Sequence, residues 1–279
     1  MLGLDAETRA RVDELVGGLT VEQQTAANEI RDEVIARVGT LPAGPLRADA
    51  PNAVWVAGYV AAGPAVSDWM RLQGIPDEVV TATLSDVGRQ LRLHHRHTGR
   101  TGLDAPSWPS AVLAGTFYQL GRLQFDLAFQ QHEWVLDVHI PESGPLTPAA
   151  VSASFDHAVM FFGEYFPDRP VTAAVCGSWL LDPYLAEHLP PTSNIVAFGQ
   201  LFTPVGEPRY DELDALYFTF GQRSLDNLDR LPRESSLQRL VLDRLAAGEH
   251  WQVVQGYRKL AVKSESRIIH DGDRPGPRR

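Results

Sequence analysis

The hydrophobic pattern of this 279-residue chain changes its period near residue 100. Before that point, for example along residues 79–91, apolar side chains recur at steps of three and four, which predicts amphipathic helices. After it, short runs rich in β-branched and aromatic residues alternate with helical stretches, which predicts strands. The change coincides with a segment rich in glycine and proline, residues 98–109, of the kind that separates domains. The sequence therefore predicts a helical part followed by an α/β part.

The order of predicted elements in the second part favours a mixed sheet. Strand character is found in residues 121–129, 134–140, 171–181, 194–203, 215–220 and 251–257. Helical spacing is found in residues 5–38, as two short helices, and in residues 55–62, 67–72, 76–96, 148–166, 183–189 and 235–247. This order predicts an α/β (α+β) fold, in which a helical N-terminal domain precedes a mixed β-sheet flanked by helices. The predicted divisions are the helical domain over 1–108, the sheet domain over 109–263 and a flexible tail over 264–279.

Charge and cysteine content exclude several classes of function. The formal charge of -10, from 35 acidic and 25 basic residues, argues against a protein that grips nucleic acid. Cys176 is the only cysteine, so disulfides and cysteine-rich zinc sites are excluded and a reducing compartment is favoured. The N-terminal segment carries charges throughout, unlike a signal peptide, and no apolar run approaches the length of a membrane span. We therefore expect a cytoplasmic protein that binds neither nucleic acid nor membrane.

The segment LDVHIPESGPLTPAAV, residues 136–151, places a strand, a tight turn and a helix start in direct succession. The first N–H groups of a helix lack partners within the helix and lie at the positive end of its dipole, so such a junction can hold a phosphate group. Gly144 permits close approach of a ligand to the backbone, while Thr147 and Pro148 are typical of an N-cap and a first helical residue. The segment is a candidate anion site, and a turn that only caps a helix is the alternative.

Four strings in order carry a resemblance to a known family: FYQLGRLQFDL (117–127), VHIPESGPLT (138–147), CGSWLLDPYL (176–185) and LPPTSNIVAFGQLF (189–202). They resemble the GNAT-like C-terminal domain of a bacterial acyltransferase family, over about residues 116–260. In that family the domain follows a helical N-acyltransferase N-terminal domain, which residues 74–104 resemble.

The resemblance implies where an acyl-CoA co-substrate binds. In the GNAT architecture the pantetheine arm lies in a cleft between two splayed strands, and the pyrophosphate rests on the loop that opens the long helix. By position that loop is residues 142–147, in agreement with the candidate anion site. The implied contacts with acetyl-CoA or another acyl-CoA come from Ile140, Ser143, Gly144, Leu146 and Thr147. Glu142 and a single glycine stand where the GNAT signature usually has a basic or glutamine residue and two glycines.

Acyl transfer from a thioester to an amine needs a base, stabilisation of the oxyanion and an acid for the leaving thiolate. His139 and Glu142 lie at the end of the predicted strand beside the cleft, with Asp137 on the face of His139, so either is a candidate base. Tyr184, on the short helix after the next strand, is the candidate acid, because GNAT enzymes often keep a tyrosine there and a phenol is protonated at pH 7. The structural alternatives are a buried histidine, a solvated carboxylate and a packed tyrosine, respectively.

Two other groups of residues have simpler interpretations. The sequence His-His-Arg-His at residues 94–97 predicts a solvated basic helix end and no metal site, since no acidic residue follows at a spacing of three or four. Ser178 is a candidate polar group in the cleft, and Cys176 is a candidate buried side chain. The Gly-x-Ser-x-Gly pattern of a hydrolase elbow does not surround Ser178.

Three functions compete for this sequence. The leading one is an acyl-CoA-dependent N-acyltransferase that acts on a small amine or amino compound, with its cleft between the strands that end near Ile140 and Val171. A second is a non-catalytic GNAT-like module that binds a ligand or a partner, which the unusual Glu142 and the single glycine favour. A third is a hydrolase that uses Ser178 or Cys176 as its nucleophile and needs a histidine within hydrogen-bond reach.

Overall fold

A group of helices precedes the first strand. A computed structural model describes residues 2–40, 46 and 49–261, so the predicted tail lies outside the described residues. The helices are α1 (Ala6–Gly17), α2 (Val21–Arg37), α3 (Asn52–Leu72), α4 (Asp77–Thr98) and α5 (Trp108–Val112). Sequence analysis divided α3 into two helices, but the structure has one helix that continues through Pro64. Most of α3 is buried against its neighbours, and this packing outweighs the cost of an internal proline.

Local capping fixes the ends of these helices. The Thr8 amide donates to the Asp5 carboxylate at 2.8 Å at the start of α1. Thr20 and Gln23 form a reciprocal capping box at the start of α2. Gly99 ends α4 with a φ of 69°, in the left-handed region that favours glycine. These signals are local in sequence, which explains why the positions of α1, α2 and α4 were predictable.

A seven-stranded mixed sheet forms the second part. Its strands are β1 (Phe117–Leu120), β2 (Leu123–Gln130), β3 (Glu133–His139), β4 (Val171–Ser178), β5 (Thr203–Pro204), β6 (Arg209–Tyr210) and β7 (Gln252–Lys259). The strand order is β1-β2-β3-β4-β7-β5, and β6 also pairs with β7. Strands β3 and β4 pair in parallel, and the other neighbours pair antiparallel. The remaining α-helices of the described chain are α6 (Pro148–Tyr165), α7 (Pro183–His188), α8 (Asn194–Gly199), α9 (Glu212–Phe220) and α10 (Ser236–Ala246). This confirms the predicted α/β class.

Two predicted strands are helices in the structure. Residues 194–203 contain α8, and residues 215–220 lie within α9. Ser193 caps α8 and Asp211 caps α9, each accepting a backbone N–H through its side chain. Short apolar runs do not distinguish a buried helix from a buried strand, so periodicity alone gave the wrong answer here. The predicted strand at 121–129 was also incomplete, because residues 117–120 form β1 and a turn at Gly121 precedes β2.

The two faces of the sheet meet different partners. Helix α6 covers one face, where Phe155 packs on Phe125 with ring centroids 5.5 Å apart. Helices α4 and α5 approach the other face, where the backbone N–H of Gln119 donates to the Thr83 hydroxyl at 3.0 Å. One continuous buried cluster includes residues of the helical part and of the sheet. A second, smaller core lies around Trp179 and Trp251. No helix in the described part of the chain is both long and apolar enough to cross a membrane.

Gly88 on α4 provides a test of the packing between α4 and the N-terminal segment. A Cβ at this position would lie 2.3 Å from the Gly3 oxygen and 2.5 Å from the Leu2 oxygen, both of which belong to backbone. Gly88→Ala should therefore lower the free energy of unfolding by roughly 1–3 kcal/mol, because the backbone must move. Gly163→Ala on α6 is the matched control, since nothing lies within 4 Å of its Cβ position.

Urea unfolding of both variants measures the difference. The control should be neutral or stabilised by up to about 1 kcal/mol, because alanine favours a helix more than glycine does. Equal effects of the two substitutions would contradict the close backbone contact at Gly88.

Candidate active site

Strands β3 and β4 pair over part of their length and then separate. Their parallel pairing runs from Trp134↔Val171 to Asp137↔Val175. Beyond this point, residues 138–139 pair with β2 and residues 176–178 pair with β7. Among the described residues no ladder joins β3 to β4 there, so a gap opens at the carboxyl ends of the two strands. Backbone N–H and C=O groups at this gap are free to pair with a ligand.

The predicted position of the cleft is partly wrong. Sequence analysis placed it between strand ends near Ile140 and Val171. Val171 starts β4 and lies at the paired end of the two strands. The gap is bounded by Ile140 and Ser178, because parallel strands bring their carboxyl ends to the same edge.

The turn between β3 and α6 is held in place by Arg122. The guanidinium donates to the oxygens of Pro141 at 2.9 Å, Gly144 at 3.1 Å and Pro145 at 3.3 Å. Gly144 has a φ of +75°, and nothing lies within 4 Å of the position that a Cβ would occupy. The N-terminus of α6, which is the positive end of the helix dipole, therefore lies beside the gap. The turn that precedes it is held in place and leaves open space next to Gly144.

The other residues expected to contact a cofactor differ in their hydrogen bonds and in their burial. The Thr147 hydroxyl accepts the Ala150 amide at 3.3 Å and caps α6, as predicted. The Ser143 amide donates to the Pro141 oxygen at 2.8 Å, which closes the turn. Ile140 is partly buried against the main core, and the Leu146 side chain is buried in it. Of these two residues, Leu146 can therefore offer a ligand only its backbone.

Glu142 is exposed and paired with a cation from the helical part. Its carboxylate oxygens lie 2.8 and 3.0 Å from a guanidinium nitrogen of Arg96, in the last turn of α4. The positive charge of Arg96 offsets the repulsion that Glu142 would exert on a phosphate group in the turn. Glu142 thus holds the turn to α4 in this arrangement.

His139 lies at the end of β3, at the edge of the gap. Its ring centroid is 4.9 Å from that of Trp108 and 5.5 Å from that of Phe117. Nε2 is 3.9 Å from an oxygen of Asp137, and 27% of the side chain is exposed. Burial lowers the pKa of His139, and the negative charges of Asp126 and Asp86 oppose this shift. The lowered pKa favours the neutral imidazole, which is able to accept a proton.

Two carboxylates lie on the same face of the sheet as His139. Asp126 on β2 and Asp137 on β3 are directly opposite each other in the ladder. Burial raises the pKa of each to about 6, and Thr116 donates a hydrogen bond of 3.0 Å to Asp126. Sequence analysis missed Asp126, although a single charged residue within the apolar run LQFDLAF was the available signal. Two carboxyl groups therefore lie on the same face of the sheet as the imidazole of His139.

Tyr184 packs in the smaller core. Its ring stacks on His188 at 3.7 Å and lies under the Arg244 guanidinium at 3.9 Å. Asp182 accepts from the Tyr184 amide at 2.9 Å and from Arg244 at 2.7 Å. None of the contacts found in the described residues joins Tyr184 to His139. A role of Tyr184 as an acid stays a prediction.

The candidate nucleophiles have structural contacts. The Ser178 hydroxyl accepts the Leu180 amide at 3.1 Å and starts a 3-10 turn. Cys176 is buried, and burial raises the pKa of its thiol well above the usual range. In the described part of the chain no hydrogen bond joins either residue to a histidine. The hydrolase hypothesis gains no support from these contacts.

The histidines on α4 are less exposed to solvent than the predicted solvated helix end. His94 and His97 are largely buried, and their Nδ1 atoms lie 2.6 and 2.9 Å from the two oxygens of Asp104. Tyr217 on α9 donates to the same carboxylate at 2.9 Å. The acidic partner follows the helix, so a search at three or four positions could not find it. Across residues 2–40, 46 and 49–261, no group of three or more His, Cys, Asp or Glu side chains is arranged to hold a metal ion.

Comparison with known families agrees with this architecture. The model of an N-acyltransferase N-terminal domain matches residues 1–115, and that of a GNAT-like C-terminal domain matches residues 117–258. The chain belongs to this acyltransferase family. The resemblance predicted from the four sequence strings and the assignment as an acyltransferase are thereby confirmed. No curated protein sequence matches the chain.

Solved acyltransferase structures share the whole fold. One in complex with decanoyl-CoA is 29% identical, with a TM-score of 0.85, over 93% of this chain and 85% of that one. One in complex with decanoyl-CoA and teicoplanin is 32% identical, with a TM-score of 0.84 and the same coverage of both chains. One in complex with CoA and 10C-teicoplanin is 30% identical, with a TM-score of 0.83, over 94% of this chain and 90% of that one. The predicted class of co-substrate, an acyl-CoA, is the class that these acyltransferases bind.

The shifted pKa of Asp137 makes the stability of this acyltransferase depend on pH. Because the folded pKa of about 6 is above the ordinary value of 3.8, ionisation favours the unfolded chain, and stability is lost as pH rises between these values. Asp137→Asn removes this loss. We expect the variant to gain about 1 kcal/mol relative to wild type at pH 8 compared with pH 4, a value reduced for solvent screening.

Urea unfolding at the two pH values checks this expectation. Asp13→Asn, an exposed substitution on α1, serves as the control and should behave alike at pH 4 and pH 8. A pH-independent effect of Asp137→Asn would contradict a buried, raised carboxylate.

Proposed function

We propose that this acyltransferase moves an acyl group from an acyl-CoA to the amine of a small molecule. The observation that carries the proposal is the separation of β3 and β4 next to His139. A gap lined by unpaired backbone groups suits a thioester arm that contains amides, and the neighbouring imidazole suits an amine that must lose a proton. We place this reaction in the cytoplasm, since a chain with one buried cysteine suits a reducing compartment.

The residues around the gap fit an acyl-CoA. The free edge of β3 near Ile140 would pair with the pantetheine arm. The turn containing Ser143 and Gly144, with Thr147 at the start of α6, would hold the pyrophosphate on backbone N–H groups. Arg122 fixes the turn before the ligand arrives, which reduces the entropy lost on binding.

His139 is our choice for the general base. When bound, the thioester supplies an activated carbonyl carbon. As the new C–N bond forms and the C–S bond of the thioester breaks, His139 would accept the proton that the attacking nitrogen loses, and Asp137 and Asp126 would stabilise the resulting imidazolium. The imidazolium would then give this proton to the CoA thiolate, which leaves as the thiol. The same carboxylates favour entry of an amine in its ammonium form. Glu142 is the second candidate, but its ion pair with Arg96 favours a role in holding the turn.

The relatives suggest where to search for the substrates. One solved acyltransferase variant binds octanoyl-CoA and another acyltransferase binds decanoyl-CoA with teicoplanin. We therefore propose these two acyl-CoA molecules as first donors and teicoplanin as the first acceptor in an amine screen. The hypothesis of a non-catalytic module was based mainly on the unusual Glu142. The ion pair with Arg96 weakens this argument, because it offsets the negative charge of Glu142.

Gly144 provides the binding test. The Cβ of Gly144→Trp would meet open space, but the φ of +75° would strain the backbone of a tryptophan by roughly 1–3 kcal/mol, so its melting temperature is measured first. Its indole would fill the turn where the pyrophosphate is proposed. We expect the Kd for decanoyl-CoA, measured by calorimetry, to rise at least about a hundredfold. Gly144→Asn is the matched control, because asparagine tolerates positive φ and is small, and its Kd should rise less than about fivefold. Unchanged binding by the tryptophan variant would place the pyrophosphate elsewhere.

His139 and Glu142 are separated by an activity test. Release of the CoA thiol from decanoyl-CoA in the presence of an acceptor reports turnover. His139→Gln should lower kcat by about 10²–10⁴, as loss of a general base does, while Glu142→Gln should stay within about threefold. Because the base must be neutral and burial lowers the pKa of His139, kcat/KM should fall at a pH below the range in which an ordinary histidine titrates. The opposite ranking of the two variants would make Glu142 the base.

A further inference from the structure

Asp86 is a buried carboxylate of the helical part that faces the sheet. It lies on α4, and only 1% of it is exposed. Oδ2 accepts from Trp108 Nε1 at 2.8 Å, and Oδ1 accepts from Gln124 Nε2 at 3.1 Å. Arg89 pairs with the same carboxylate, and Gln90 donates to it at 3.4 Å. The carboxylate therefore connects α4, α5 and β2.

Two of these partners flank His139. The Trp108 ring lies edge-on to the imidazole, at 4.9 Å between centroids, and its indole N–H is held by Asp86. Gln124 is the residue directly opposite His139 in the β2–β3 ladder. The two hydrogen bonds to Asp86 thus fix an aromatic wall and a strand neighbour of the same histidine.

We propose that Asp86 is a positioning residue, which holds Trp108 and Gln124 so that His139 keeps its productive orientation at the gap. The proposal rests on the proposed function, in which His139 is the base. An apolar side chain could fill the same space without the cost of desolvating a carboxylate, so packing does not account for a charge here. Hydrogen bonds that orient a neighbouring group do account for it.

The charge of Asp86 also acts on His139 through space. The charged and titratable groups that face the imidazole are Asp137 from β3, Asp126 from β2 and Asp86 from α4. Arg89 reduces the field of Asp86 without removing it, since Asp86 still opposes the lowering of the pKa of His139. Loss of this negative charge should therefore lower that pKa further and weaken stabilisation of the imidazolium.

Two substitutions separate orientation from charge. Asp86→Asn removes the charge and one of the two acceptors, while Trp108→Phe keeps an aromatic ring beside His139 and removes the donor to Asp86. Asp77→Asn, at the exposed start of α4, makes the same chemical change away from the site and is the control. For each variant kcat and KM for decanoyl-CoA are measured from pH 5 to pH 9, together with the melting temperature.

The expected results are specific to a positioning role. Asp86→Asn should lower kcat about ten- to a hundredfold, leave KM for decanoyl-CoA within about twofold and move the acid limb of kcat/KM to lower pH. Trp108→Phe should lower kcat about tenfold without moving the limb, because the charge remains. If Asp86→Asn does not fold, the kcat of Trp108→Phe still decides whether the hydrogen bond between Trp108 and Asp86 positions His139.

Other outcomes overturn the proposal. A wild-type kcat in Trp108→Phe would show that Asp86 has a purely structural role. The same conclusion would follow if Asp86→Asn had a lowered melting temperature but a wild-type kcat and an unmoved acid limb. The activity of His139→Gln distinguishes a failure of the proposed function from a failure of the positioning role alone. If that variant is active, the proposed base is wrong; if it is inactive while Asp86→Asn turns over normally, only the positioning role is wrong.

Discussion

The separation of β3 from β4 after Asp137 and Val175 is the constraint on which the candidate site depends. A parallel pair must be joined by a crossover, and here α6 supplies it, so the turn that starts α6 lies at the carboxyl end of β3. The same geometry brings His139 to the edge of the gap. A fully paired sheet would satisfy every backbone group and would leave no place for a ligand.

The helical part completes the sheet face that carries His139. Trp108 from α5 packs against His139, Thr83 from α4 accepts a sheet N–H, and Arg96 at the end of α4 pairs with Glu142. Thr83 is buried in this contact, whereas the ion pair between Arg96 and Glu142 is exposed. One apolar core extends across both family domains. The helical domain therefore contributes residues that line the candidate site, in addition to preceding the sheet domain in the sequence.

Sequence predicted the elements whose signals are local. Helix α6 with its Thr147 cap, the turn at Gly144 and strands β2, β3 and β7 follow from periodicity and capping. Helices α8 and α9 were mistaken for strands because their apolar runs are short and only tertiary packing decides such cases. Trp108, which packs on His139, and Arg96, which pairs with Glu142, come from elements of the helical part, so no spacing rule could supply them.

Asp104 has a consequence for how the two parts of the chain stay together. Its carboxylate joins the end of α4 to Tyr217, which is 113 residues further along the chain. The contact closes a long loop, as a disulfide would, in a chain whose single cysteine cannot form one. A cross-link made of hydrogen bonds can exchange with water, whereas a covalent one cannot. The helical part and α9 are thus joined over a long stretch of chain by a contact that needs no covalent bond.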